Sequence, residues 1–353
     1  MRNKKTLYMV SIYIMFSTIM FSGCINSETT NNWALEVTQI TKLHELGLDG
    51  SGVTIGIIDT GVDTMHDEFD KTTFISWRDY VNNQMKPYDD AGYGTHVAGI
   101  LFAQGSWLGS LSGHLLKGVC PGAKAVIVKA VSEIGEAEDE DIAAAINFCV
   151  AQGADIILLS FGKNPKNIEV GERSCRSCND ALEQGVFFVA PAGDDGNFDD
   201  GDVTGLASIP GVIAVGSIRK DGYISLFSSK GNQAWVPGVH GERLDPNKKP
   251  ELIAPGENIV STSVNGGYLS SSGTSQSAAY VAGILALLLE AYPEYKHASN
   301  RGLTSISEVK NVLAETAYKI GGISLYSGEG FSHNDRYGYG LIQAYDAYTE
   351  LGR

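Results

Sequence analysis

The sequence predicts a three-layer α/β domain, a mostly parallel central sheet with helices on both faces. Two observations carry this. Five short runs, Val53 to Asp59, Ala125 to Val131, Asp155 to Ser160, Val186 to Ala190 and Val212 to Val215, are apolar almost throughout. Continuous apolar runs read as strands covered on both faces, as parallel strands are. Between and after them lie longer stretches with helical spacing. Glu138 to Gln152 and Ser174 to Gln184 run into Gly153 and Gly185, the residue type that ends helices. Ala278 to Tyr292 is nearly all apolar and is predicted as a buried helix, while Ser305 to Thr316 and Gly340 to Leu351 are predicted as closing surface helices. No internal repeat, low-complexity tract or Pro-rich linker interrupts 33–353, so one domain is expected there.

Composition narrows the class. Of 353 residues 43% are hydrophobic and 19% charged, and 42 are glycine, the balance of a globular chain with a large core and many turns. A formal charge of -15 offers no basic footprint for phosphates, so no nucleic-acid partner is expected.

The N-terminus carries Arg2, Lys4 and Lys5 ahead of an apolar run from Leu7 to Phe21, the pattern of a signal peptide and short for a spanning helix. The run closes on Phe21-Ser22-Gly23-Cys24, which resembles a lipobox with Cys24 as the lipidated first residue. The segments expected are therefore a signal peptide over 1–23, a lipidated cysteine and short tether over 24–32, and the domain over 33–353. An uncleaved signal anchor with Cys24 incidental is the alternative, and both place the body outside the cytoplasm, at the cell membrane. Four cysteines remain, Cys120, Cys149, Cys175 and Cys178, an even number that an oxidising compartment can pair. Their connectivity is open, and the lone CxxC of Cys175 and Cys178 is a poor zinc site.

Three segments carry candidate chemistry. Asp59 ends the apolar run Ile57-Ile58-Asp59 before Thr60-Gly61, a carboxylate at a strand's carboxyl end, where open α/β sheets bind ligands. His96 lies in Gly94-Thr95-His96-Val97-Ala98-Gly99, the start of a small-residue helix. Ser275 follows Ser272-Gly273-Thr274 directly ahead of the buried helix, where unpaired N–H groups stabilise developing negative charge. Acyl transfer needs a hydroxyl nucleophile, an imidazole base and an orienting carboxylate. Singly, the three residues read as a turn former, a core histidine and a helix cap.

In that order and in those contexts they resemble the catalytic triad of the subtilisin-like serine proteases, the subtilases. The resemblance extends to Val281-Ala282-Gly283, Gly118-Val119-Cys120-Pro121, Val212-Ile213-Ala214-Val215-Gly216, Phe227-Ser228-Ser229 and 249–256, and spans about 33–351. It implies a subtilisin-like fold and a serine endopeptidase that needs no cofactor for its chemistry and forms an acyl-enzyme with extended polypeptides. Ser160, Phe161 and Gly162 resemble the strand that pairs with substrate backbone, and Ala190, Pro191, Ala192 and Gly193 the wall of the pocket before the scissile bond. The Ser275 N–H is expected in the oxyanion hole.

The departures are informative. Where most of the family has an asparagine in the oxyanion hole this chain has Asp194, expected to donate there in its protonated form; a catalytically impaired peptide-binding protein of the same fold is the alternative. Asn-Gly-His ahead of Gly-Thr-His reads Ala91-Gly92-Tyr93, expected to alter the leaving-group side of the cleft. Met-Ala-Ser-Pro-His after the nucleophile reads Gln276-Ser277-Ala278-Ala279-Tyr280. The stretch between Cys24 and Asp59 is too short for the family's folded propeptide, which leaves a separate folding or inhibitory partner open. Calcium is common in the family. Here Glu68 is a weak candidate ligand, the usual ligand loop reads Gln104-Gly105-Ser106-Trp107-Leu108, and Asp199, Asp200 and Asp202 are a weaker candidate still.

Overall fold

The computed structural model describes residues 31–106, 115–161, 171–196, 203, 205–231, 244–299, 301–320 and 332–353. Cys24, Gly162, Asp199, Asp200 and Asp202 lie outside them.

The strands are β1 (Thr54–Asp59), β2 (Thr73–Asp79), β3 (Lys124–Lys129), β4 (Ile156–Leu159), β5 (Phe187–Pro191), β6 (Ile213–Ile218) and β7 (Leu252–Pro255). They form one sheet in the order β2-β3-β1-β4-β5-β6-β7, with every pair parallel. β1, β3, β4, β5 and β6 fall on the five predicted runs within three residues at each end. The other two strands go unpredicted. β2 is an edge strand of mostly exposed and half-buried residues, and β7 is Leu-Ile-Ala-Pro, whose proline reads against a strand, so neither shows a long apolar run.

Chain order and sheet order part company at β1, whose neighbours are β3 on one side and β4 on the other. The connections leave in opposite directions there, which opens a crevice at the carboxyl ends of the strands. The helices lie in two layers. The helices named here are α1 (Asn32–Val37), α2 (Ile40–Glu45), α3 (Tyr93–Phe102), α4 (Asp139–Ala151), α5 (Glu172–Glu183), α6 (Thr274–Ala291), α7 (Leu303–Thr316) and α8 (Ala344–Leu351). Successive residues of a strand face opposite sides. Gly56 of β1 lies under Cys149 of α4, whereas Asp59, of the other parity, lies under Gly94 of α3. α3 and α4 therefore cover opposite faces. α6 packs beside α3, Gly283 standing against Leu101 and Val119.

α6 is buried almost from end to end, as its composition predicted, and is a core helix although it is long and apolar enough to pass for a membrane span. Gly153 and Gly185 follow α4 and α5 with φ of 78° and 85°, the left-handed stop expected of them. A separate antiparallel hairpin, β8 (Ile259–Ser263) and β9 (Gly267–Ser271), lies against α3. The four described cysteines are free and buried, and burial raises each thiol above its ordinary ionisation range.

Candidate active site

Asp59 ends β1 between β3 and β4, at the mouth of the crevice, and is only 1% exposed. Its Oδ1 accepts from the Thr60 N–H at 2.6 Å, while its Oδ2 has no hydrogen-bond partner. Burial pushes this carboxyl up to about 7, with the charge of Asp89 adding to the effect; the Thr60 N–H, the Ser160 hydroxyl and the Thr60 hydroxyl oppose it. The Ser160 Oγ does so from nearby without a partner at bonding distance, as is true of Oδ2 itself.

Asp89 fastens the turn after β1 to the start of α3. Its Oδ1 accepts from the Thr60 hydroxyl at 2.8 Å and from the N–H groups of Ala91 and Gly92. Its Oδ2 accepts from the N–H and hydroxyl of Thr95 at 2.9 and 2.7 Å. A carboxylate at the N-terminal end of a helix also complements the helix dipole. Gly94 completes the junction, its N–H donating to the Thr60 hydroxyl at 3.2 Å. A Cβ at Gly94 would meet the Gly61 carbonyl at 2.0 Å and the Asp59 Cβ at 3.1 Å, so only glycine fits where α3 crosses the end of β1.

Ser275 is the second residue of α6, half-buried, and its hydroxyl donates to the Ser160 carbonyl at 3.2 Å. It thus stands at the helix N-terminus the sequence marked, beside the end of β4. Asp194 reaches the same turn. Its Oδ1 accepts from the Thr274 N–H at 2.7 Å and the Thr274 hydroxyl at 2.9 Å, and that hydroxyl in turn accepts from the Gly193 N–H at 3.1 Å. These are the bonds of a helix cap supplied from another loop, in a helix whose own N-cap residue, Gly273, has no side chain to cap it. Ala190 and Pro191 end β5 and lead into Ala192 and Gly193, so this expected wall and the Ser160–Phe161 segment after β4 come from adjacent strands flanking Ser275.

His96 faces the β8–β9 hairpin. It is 2% exposed, and its Nε2 lies 3.2 Å from the Ile259 carbonyl and 3.1 Å from the Leu269 carbonyl, one on each strand of the β8–β9 hairpin. Its Nδ1 faces the Gln276 amide Nε2 at 3.4 Å. A neutral ring with its proton on Nε2 serves both sides, donating to the carbonyls and accepting from the amide. None of these partners is Asp59 or Ser275. The hairpin grips the same turn of α3 further, the Ser261 and Thr262 hydroxyls donating to the carbonyls of His96 and Thr95, each at 2.7 Å. The hydrogen bonds described for Asp59, His96 and Ser275 do not join them into the relay acyl transfer needs. The residue that sequence reasoning misses is Tyr93. It heads α3, one residue before the Gly94 that stands over Asp59, and is 43% exposed, where the sequence suggested only a change at the cleft's edge. The signal is the contrast of Gly92-Tyr93-Gly94-Thr95 with Gly-His-Gly-Thr.

Glu68 does not fit a cation site as folded. Fully buried, its Oε2 accepts from the N–H groups of Gln104, Gly105 and Ser106 at 3.1, 2.8 and 3.0 Å, and its Oε1 accepts from the Tyr268 hydroxyl at 2.8 Å. A calcium ion needs converging oxygen lone pairs, whereas this loop turns N–H groups inward. The carboxylate itself organises the loop.

A parallel α/β sheet with a buried aspartate at the switch point and a serine on the first turn of the buried helix defines the class: a subtilisin-like architecture. Residues 50–340 match the subtilase family, and the chain belongs to it. It is 28% identical to the minor extracellular protease Epr of Bacillus subtilis over 92% of this chain and 43% of that protein. It is 32% identical to the thermophilic serine proteinase of Bacillus sp. strain AK1 over 85% of this chain and 62% of that protein, and 29% identical to subtilisin E of Bacillus subtilis over 82% and 66%. The chain thus spans between about two fifths and two thirds of the length of these relatives. Among solved structures it is similar to the prenylagaramide maturation protease PagA, with a TM-score of 0.65 and 25% identity over 88% of this chain and 98% of that one.

Proposed function

We propose that this protein is an exported subtilase that binds extended polypeptide in its cleft and hydrolyses it slowly through Ser275, because among the described residues no imidazole is bonded to the nucleophile. The observation that carries this is the pairing of Ser275 Oγ with the Ser160 carbonyl while Asp59 Oδ2 has no partner and both ring nitrogens of His96 are engaged elsewhere. A serine hydroxyl is a weak nucleophile until a base removes its proton. In subtilisin, loss of the histidine alone costs about 10⁶ in kcat, and what persists comes from binding and the oxyanion hole. Peptide would dock by adding a strand beside Ser160, Phe161 and Gly162, with the preceding side chain against 190–193. The N-terminal pattern supports export, with a lipid on Cys24 holding the domain at the outer side of the cell membrane, where a separate folding or inhibitory partner would also reach it.

A second reading keeps Asp59, His96 and Ser275 as an active triad closed by a turn of the His96 ring when peptide binds. The partnerless Asp59 Oδ2 favours it; the bonds to the Ile259 and Leu269 carbonyls that such a turn would break oppose it.

The mature chain is expected to label with a fluorophosphonate serine probe at least ~10²-fold more slowly than a subtilase with a closed triad. The labelling should vanish in Ser275→Ala, and both forms should bind a fluorescent peptide library alike. Labelling as fast as that of an active subtilase would overturn the proposal.

A further inference from the structure

We propose that position 93, not position 96, is where this fold places the general base, and that Tyr93 therefore leaves a subtilase site whose nucleophile and carboxylate stand without one. The inference rests on the impaired-subtilase reading above and names the residue responsible for it.

Four observations meet at this position. Tyr93 opens α3, and the junction that follows it is pressed onto Asp59: Gly94 stands over the Asp59 Cβ and the Gly61 carbonyl, and its N–H is bonded to Thr60. His96 sits three residues later, about 4.5 Å further along the helix axis and away from that junction. Exposure separates them too. Tyr93 is 43% exposed and Ser275 half-buried, whereas His96 is closed under the hairpin. The buried Asp59 Oδ2 has no partner, which is what a carboxylate built to orient an imidazole is left with when the imidazole is missing. Finally, both nitrogens of the His96 ring are spent on Ile259, Leu269 and Gln276, so its side chain locks α3 to the hairpin and to α6.

A phenol cannot take over. An imidazole receives the serine proton on one nitrogen while a carboxylate holds the N–H of the other, and a tyrosine has a single hydroxyl for both tasks. In a subtilase mechanism the proton on Ser275 Oγ must leave as the oxygen–carbon bond forms and must reach the departing amine as the peptide C–N bond breaks. With Tyr93 in place neither transfer has its carrier among the described residues.

The test is hydrolysis of a chromogenic peptide by the mature chain, by Tyr93→His and by Tyr93→Phe. Peptide affinity and thermal unfolding are followed in each. The expected result is a rise in kcat/KM of at least ~10²-fold in Tyr93→His, with a new limb in the pH profile near an imidazole's ~6.5, no gain in Tyr93→Phe, and loss of the gain on adding Ser275→Ala. A folded Tyr93→His that binds peptide but turns over no faster than Tyr93→Phe would overturn the inference and leave the impaired reading intact. Fast turnover by the unaltered chain, abolished by His96→Gln, would overturn both.

Discussion

Asp194→Asn, made in a chain that already carries Tyr93→His, is expected to raise kcat by a further ~10²-fold. The reason is the second gap in the machinery. An asparagine amide donates to a developing oxyanion, and losing such a donor costs about 10² to 10³ in kcat. An ionised carboxylate only accepts, and would face the oxyanion with like charge. In this protein Asp194 is already committed as an acceptor, its Oδ1 taking the N–H and hydroxyl of Thr274 on the first turn of α6. An asparagine keeps that role through its own carbonyl oxygen and adds a donor in the place of Oδ2. At pH values where the Asp194 carboxyl is ionised the exchange also removes a negative charge from a helix N-terminus, worth about 0.3–1 kcal/mol, so a small fall in Tm should accompany the gain there. In the Tyr93 background the same change should also raise the residual rate, since what persists without a proton carrier comes from binding and the oxyanion hole. Steady-state kinetics of the four combinations measures the coupling. No gain in either background would contradict the scheme.

Asp59→Asn is expected to stabilise the fold at pH 8 by as much as about 4 kcal/mol, an upper bound at about 1.4 kcal/mol per pH unit. The sign follows from the direction of the shift. Burial and the charge of Asp89 raise the folded carboxyl to about 7, above its ordinary value, so the folded chain holds a proton that the unfolded chain has released. The stability this group contributes is whole below about pH 4 and is lost as the pH rises toward 7, where the buried carboxylate ionises beside Asp89 with its Oδ2 unpaired. Asparagine keeps an oxygen for the Thr60 N–H and carries no charge. Thermal unfolding from pH 4 to 8 should show the wild-type chain losing stability across this window and Asp59→Asn losing much less. Identical slopes would mean that something else already neutralises Asp59.

Much of the fold is legible in the sequence, and the reasons differ by element. β1, β3, β4, β5 and β6 announce themselves because strands covered on both faces are apolar throughout; β2 at the edge carries no such mark, and β7 is hidden by the proline that closes it. The positions of Asp59 and Ser275 are legible because each sits where one local pattern, strand end or helix start, fixes its surroundings. The base is not, because two positions one helical turn apart both lie in a motif-like context, and residue type favours the one that holds a histidine. Only tertiary packing distinguishes them. β8 and β9 lie more than 150 residues downstream of α3, and their carbonyls, which claim His96, carry no residue identity in the sequence. Glu68 misleads for a similar cause, since its partners at 104–106 are backbone N–H groups that any residue but proline would present.

The role of His96 is the most direct point of decision, and His96→Gln measured for both turnover and Tm resolves it. If the ring is a structural tie between α3, the hairpin and α6, the variant should melt several degrees lower through the loss of buried hydrogen bonds, and its slow peptide hydrolysis should change less than about threefold. A fold of unchanged Tm whose turnover drops by about 10⁴ or more would show instead that His96 is the base, and would exclude both the structural tie and the vacancy at position 93.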